Sequence, residues 1–174
     1  SNNLVSAARN DMLALNRQTT ETVHLLSITG HEVIYLSKID AHHSVGLLSA
    51  VGKRNPIHCT SGGKAIAAYL GEEWLTKYLT TTGLKQYTAN TITTEAGFRA
   101  ELDSIRKKGY ALDRSEHHEN VVCVGAPIFD YTGKAIASIS VAAPSYRFSV
   151  ELAESIAQHV VESARNISRQ LGAD

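Results

Sequence analysis

Much of the function space closes on what this sequence lacks. No run of about 18 apolar residues occurs in its 174 residues, so nothing in it reads as a membrane-spanning helix. An excess of one charge is missing too. The 17 Lys and Arg balance the 17 Asp and Glu, whereas surfaces that hold nucleic acid are basic. Two cysteines, Cys59 and Cys123, are too few for a disulfide framework and suit a reducing cytoplasm. Neither a repeated CxxC nor an HExxH spacing is present, which removes the common signatures of a metal site. No secretory leader, repeat or low-complexity tract is visible. Gly62-Gly63-Lys64-Ala65 is not a Walker A loop, because the four-residue spacer between glycines and the Ser or Thr after the lysine are absent.

What remains is ordinary globular composition, 43% hydrophobic and 20% charged, in one domain large enough for a proper core. The chain is organised around His58-Cys59-Thr60-Ser61-Gly62-Gly63-Lys64-Ala65-Ile66-Ala67-Ala68-Tyr69-Leu70. Thr60 or Ser61 is a suitable N-cap, and Ala65, Ile66, Ala68, Tyr69 and Leu70 suit a buried helix. Gly62 and Gly63 permit close approach to the backbone, and a helix start offers N–H donors to a small anion. The alternative is a glycine-rich helix start packed tightly on a sheet.

Periodicity predicts helices over 4–19 and 95–108, a short helix from Gly71, and a long C-terminal helix capped by Ser149. Strands are predicted over 22–28 and 33–39 as a hairpin, near Val45–Leu48, at Tyr110–Asp113, and over 121–128 and 134–142 as a second hairpin. Arg114–Asn120 reads as a polar loop. Hairpins with helices gathered elsewhere give an α+β domain, a central antiparallel sheet flanked by helices.

Alternation along the second hairpin gives one Val/Ile/Ala face, which wants the terminal helices over it. The other face carries Cys123, Gly125, Ser138, Ser140 and Ala142, small groups that leave room for a pocket or for a bulky helix. With a loop of residues 130–133 and no bulge, Cys123 is expected opposite Ser140 and Gly125 opposite Ser138.

Taken in order, Asn55-Pro56-Ile57-His58-Cys59-Thr60-Ser61-Gly62-Gly63-Lys64-Ala65, Thr91-Ile92-Thr93, Gly109-Tyr110-Ala111-Leu112-Asp113, Val122-Cys123-Val124-Gly125-Ala126-Pro127-Ile128 and Ile139-Ser140-Val141 resemble the effector domain of IclR-type bacterial transcription regulators. The resemblance covers essentially the whole chain. It implies a GAF-like effector-binding domain over 1–174, with a winged helix-turn-helix DNA-binding domain preceding it in the family and absent from this sequence. It implies a small carboxylate effector held by Ser61, Gly62, Asp113, Cys123 and Ser140, no cofactor, and DNA contact only through that preceding domain. It also implies assembly as a homodimer or homotetramer. Lys38-Ile39-Asp40 and Arg54-Asn55-Pro56 are similar to regulators of sugar-acid catabolism, which points to a sugar acid or 2-keto acid. The chain departs from many relatives at Ala142, where a second serine is common, and near Ser61, where alanine or glycine is. Asp113 is expected to accept hydrogen bonds from ligand hydroxyls, and a side chain at Gly62 to fill the pocket.

An enzyme or a metal-binding domain using Cys123 and histidines is the alternative. It suffers from the lack of a histidine within the hairpin and of a nucleophile elbow at Ser140. The pairs His42-His43 and His117-His118 read as solvated loop residues.

Overall fold

The computed structural model describes residues 2–174. In chain order the elements are α1 (Asn2–Thr19), β1 (Thr22–Thr29), β2 (Glu32–Ile39), β3 (Arg54–Pro56), α2 (Ser61–Ala67), α3 (Glu72–Thr81), α4 (Glu95–Lys108), β4 (Ala111–Arg114), β5 (Val121–Phe129), β6 (Ala135–Pro144) and α5 (Val150–Gln170). The strands form one antiparallel sheet of order β3-β2-β1-β6-β5-β4. This is the expected α+β architecture.

Helix ends follow local chemistry. The Thr94 hydroxyl accepts from the Gly97 N–H, Gly109 closes α4 at φ +87°, and the Ser149 hydroxyl accepts from the Leu152 N–H. Period two then divides the sheet. Val23, Leu25, Val122, Val124, Ala126, Ile139 and Val141 meet Leu4, Ala8, Met12 and Leu15 of α1 and Ala157, Val160, Ala164 and Ile167 of α5 in one core. A second core on the opposite face joins Leu26, Ile57, Ala65, Ile66, Tyr78, Phe98 and Leu102. The terminal helices thus cover the Val/Ile/Ala face, and Cys123 and Ser140 look the other way.

Two expectations fail. Val45–Leu48 is no strand; this stretch is irregular, and Val45 and Leu48 are exposed. The third strand falls instead at Arg54–Pro56, where it pairs with β2. The hairpin register also differs: Cys123 lies opposite Ala142, Gly125 opposite Ser140 and Pro127 opposite Ser138. The loop is one residue longer than a four-residue turn, since Phe129 pairs with Ala135 and the Asp130 N–H donates to the Lys134 carbonyl. A bulge between Ile128 and Phe129 then takes a further residue of β6 out of the pairing. The two one-residue slips sum to two, so every side chain keeps its face and only its partner changes.

Candidate functional site

The cavity is built on two neighbouring rungs of the sheet. One runs Thr22–Ala142–Cys123–Asp113 across β1, β6, β5 and β4, and the next runs His24–Ser140–Gly125–Ala111. Beyond them α2 lies directly on the sheet. A Cβ at Gly62 would stand 2.5 Å from the Leu26 methyl carbons and 2.7 Å from Ser138 Oγ; one at Gly63 would stand 2.6 Å from the Ile57 carbonyl oxygen. A Cβ at Gly125 would meet Gly62 N at 3.2 Å. Gly63 is therefore demanded by the backbone against it, Gly62 and Gly125 sit in tight helix-on-sheet packing, and a side chain at Gly62 would point at Leu26 and Ser138 of the sheet rather than fill the cavity. That corrects the expectation for this position.

Thr60 occupies the N-cap position of α2, but its side chain makes no capping bond. Its hydroxyl turns back and donates to the Pro56 carbonyl at 2.8 Å. The N–H groups of Ser61, Gly62 and Gly63 find no acceptor among the described residues.

Beside this helix start lies a cavity of about 560 Å³, and all five candidate residues, Ser61, Gly62, Asp113, Cys123 and Ser140, line it. Ala142 lines it as well. A wider hollow of about 700 Å³, between the β5–β6 turn and the end of α5, holds none of them.

Several lining groups escaped the sequence reading. His24 stands on β1 beside Ser140, its ring tilted by 35° against that of Tyr35 with centroids 4.6 Å apart. Burial, then the Lys38 charge, lowers its pKa to about 4, so it is neutral at physiological pH. Its Nε2 pairs with Ser49 Oγ at 2.6 Å. Lys38 donates to the carbonyls of Leu47 and Ser49, so β1 and β2 together fasten the irregular 41–53 segment as one wall. Alternation along β1 would place His24 on the small-residue face once β1 was known to adjoin β6, a pairing that no local signal reveals.

The opposite wall is the 115–120 loop, with His117, His118, Glu119 and Asn120 on the cavity. It is less solvated than expected. Glu116 is buried and accepts from Lys64 Nζ at 2.8 Å; the same ammonium reaches Glu101 at 2.6 Å and the Leu112 carbonyl at 2.6 Å. Burial opposes the Lys64 charge, but Glu116 and Glu101 outweigh it and its pKa is raised. His117 is half-buried, edge-on to Tyr87, and burial with the His118 charge lowers its pKa to about 4.

Asp113 is 3% exposed. Its Oδ1 accepts from the Glu116 N–H at 2.7 Å, and Cys123 is its cross-strand partner on β5. Burial first and the Glu116 charge second raise its pKa to about 7. Burial and Asp113 in turn push the Cys123 thiol well above the ordinary range, so it holds its proton and is a poor nucleophile. The arrangement can offer shape, hydroxyls, amide donors and a neutral imidazole to a small polar molecule.

The model of the family described as Bacterial transcriptional regulator IclR C-terminal matches residues 1–169. The chain belongs to the IclR family. Among its relatives is the HTH-type transcriptional regulator KdgR of Escherichia coli K12, 33% identical over 169 residues. That alignment takes in 97% of this chain and 64% of KdgR, so the chain spans less than two thirds of this relative's length. The solved structure of Thermotoga maritima IclR superposes with a TM-score of 0.92 at 36% identity, over 97% of this chain and 68% of that one. The inducer-binding domain of a PobR double mutant from Acinetobacter, solved with 3-hydroxybenzoic acid, superposes with a TM-score of 0.85 at 26% identity, over 94% and 96%. The IclR C-terminal fold expected from the sequence is the fold found, and the relatives are named as transcriptional regulators rather than enzymes.

Proposed function

We propose that this chain is the effector-sensing domain of a DNA-binding transcriptional regulator, and that its cavity receives a small organic acid, a sugar acid or a 2-keto acid. The observation that carries this reading is the meeting of Ser61, Gly62, Asp113, Cys123 and Ser140, from four separate stretches of chain, around one cavity of about 560 Å³. Its volume is typical of small-molecule sites. The start of α2 offers amide donors, Ser140 can donate or accept, and Cys123 supplies shape and a weak thiol donor. The acid bound by the PobR domain supports a carboxylate as the chemical class.

DNA contact belongs to a winged helix-turn-helix outside this sequence, and the working regulator is a cytoplasmic homodimer or homotetramer. Free Cys59 and Cys123 agree with a reducing compartment.

Thermal unfolding of the purified chain with pyruvate, gluconate and their uncharged amides tests the sensor reading. A ligand at about 100 times its Kd adds about 2.7 kcal/mol of stability, so an acid that fits raises Tm by several degrees without being consumed. Identical curves with and without every acid would refute the carboxylate sensor. Turnover of the acid would restore the enzyme alternative.

A further inference from the structure

Asp113 is the one acidic side chain held deep in the cavity wall, and its surroundings are unusual for a carboxylate. It takes part in none of the ion pairs among the described residues. The cation whose charge reaches it, Lys64 on α2, is committed to Glu116, Glu101 and the Leu112 carbonyl. The Glu116 carboxylate of the following loop adds negative charge to its surroundings, and the Glu116 N–H donates to Asp113 Oδ1 at 2.7 Å. From β5 it faces the Cys123 thiol, from the segment before α2 the Cys59 thiol, and from β2 the Tyr35 hydroxyl. All three stay protonated at neutral pH, because burial raises each pKa. At the mouth, Lys53, His117, His118 and Glu119 face the same space and His24 faces it from β1; burial lowers the pKa of His24 and His117 to about 4, well below that of Asp113.

We propose that a carboxylate ligand entering this cavity binds together with one proton, which Asp113 takes from solvent. The inference rests on the sensor reading of the same site. Two carboxylates confined in one poorly solvated space cannot both stay ionised, and the ligand's negative charge drives the proton onto the group already least stabilised as an anion. The balance is simple: one ligand monoanion and one solvent proton enter, no covalent bond changes, and the net charge of the cavity is conserved. Protonated Asp113 then becomes a hydrogen-bond donor to the ligand carboxylate or to a keto oxygen. The pKa of about 7 in the unliganded protein means that this donor form is already substantially populated at neutral pH. The hydroxyl-accepting role expected from the sequence is thereby replaced by donation.

Calorimetry of pyruvate and gluconate binding tests this, in two buffers of different ionisation enthalpy. At about pH 8, above the free Asp113 pKa, the buffer dependence of the heat should report an uptake approaching one proton per ligand. At about pH 5.5, where Asp113 is already protonated, uptake should fall towards zero. Affinity should weaken by up to tenfold per pH unit on the alkaline side. Pyruvamide, which carries no charge, should bind without uptake, and this control needs no variant. Asp113→Asn should bind the acid with a flat pH profile and no proton uptake. Measurable binding of the acid at pH 8 with no uptake, or uptake undiminished in Asp113→Asn, would overturn the coupling and leave the sensor reading intact. Failure of both acids to bind at any pH would bring down both.

Discussion

At the scale of single residues, burial decides more than identity. Asp113 and Glu116 are both buried acids three residues apart, yet Glu116 takes Lys64 and Asp113 takes a backbone N–H beside an uncharged thiol. Asp113 therefore carries a stability cost with a definite pH signature. Its folded-state pKa of about 7 lies above the ordinary carboxyl value of 3.8. Below that unfolded value both states hold the proton and the native state has its full stability. Between the two values the unfolded chain releases its proton first, so stability falls as pH rises through the folded pKa and then levels off. The loss amounts to a few kcal/mol, at about 1.4 kcal/mol per unit of pKa difference. Urea titrations between about pH 4 and pH 8 should show the wild type losing this stability relative to Asp113→Asn, since the opposite contributions of His24 and His117, whose pKa values are lowered, are common to both proteins; parallel profiles would mean that Asp113 is ionised throughout. The sequence placed Asp113 near the site by family order but was silent on its ionisation, because its burial and the neighbouring charges of Glu116 and Lys64 are set only by the fold.

At the scale of elements, what was legible is what local chemistry controls. Thr94 and Gly109 bracket α4, Ser149 opens α5, and period two separates the faces of β5 and β6. What was not legible is what depends on tertiary contact. The hairpin register rests on a five-residue connection and a bulge, and neither leaves a sequence signal as plain as Asn-Gly. Glu116 read as part of a solvated loop because its cation lies 52 residues away in the chain. Thr60 marked the start of α2, yet its hydroxyl chose the Pro56 carbonyl over the helix amides. The Lys64 ammonium joins α2 to α4 through Glu101, to β4 through the Leu112 carbonyl, and to the cavity loop through Glu116. Removing one partner of such a buried cluster leaves an uncompensated charge and costs about 3–5 kcal/mol, whereas an apolar replacement of the pair costs far less. Lys64→Met and Glu116→Leu should each lose that much stability in urea unfolding, and the double variant should lose clearly less than their sum. Additive losses would show that the two side chains do not depend on each other.

At the scale of the whole molecule, the antiparallel sheet sorts two functions onto two faces. The central β1–β6 pairing, which joins the two ends of the chain, brings His24 next to Ser140 and closes the cavity floor. The same pairing lets α1 and α5 pack together over the opposite face, remote from the cavity. Neither face offers what a duplex requires. Neutralising several phosphates takes a clustered excess of Lys and Arg, and each contact contributes through counterion release. Here 17 basic residues meet 17 acidic ones, and Lys38, Lys64, Arg99 and Arg147 are spent on internal ion pairs. Glu72, Glu95 and Glu21 accept from the two arginines, so their charge is not free to follow a backbone. The chain alone should therefore give no shifted band with duplex DNA at sub-micromolar protein and physiological salt, and any weak smear at low salt should vanish as salt rises. A discrete complex that survives added salt would place a DNA contact on this domain itself, and would contradict the assignment of that contact to a segment outside this sequence.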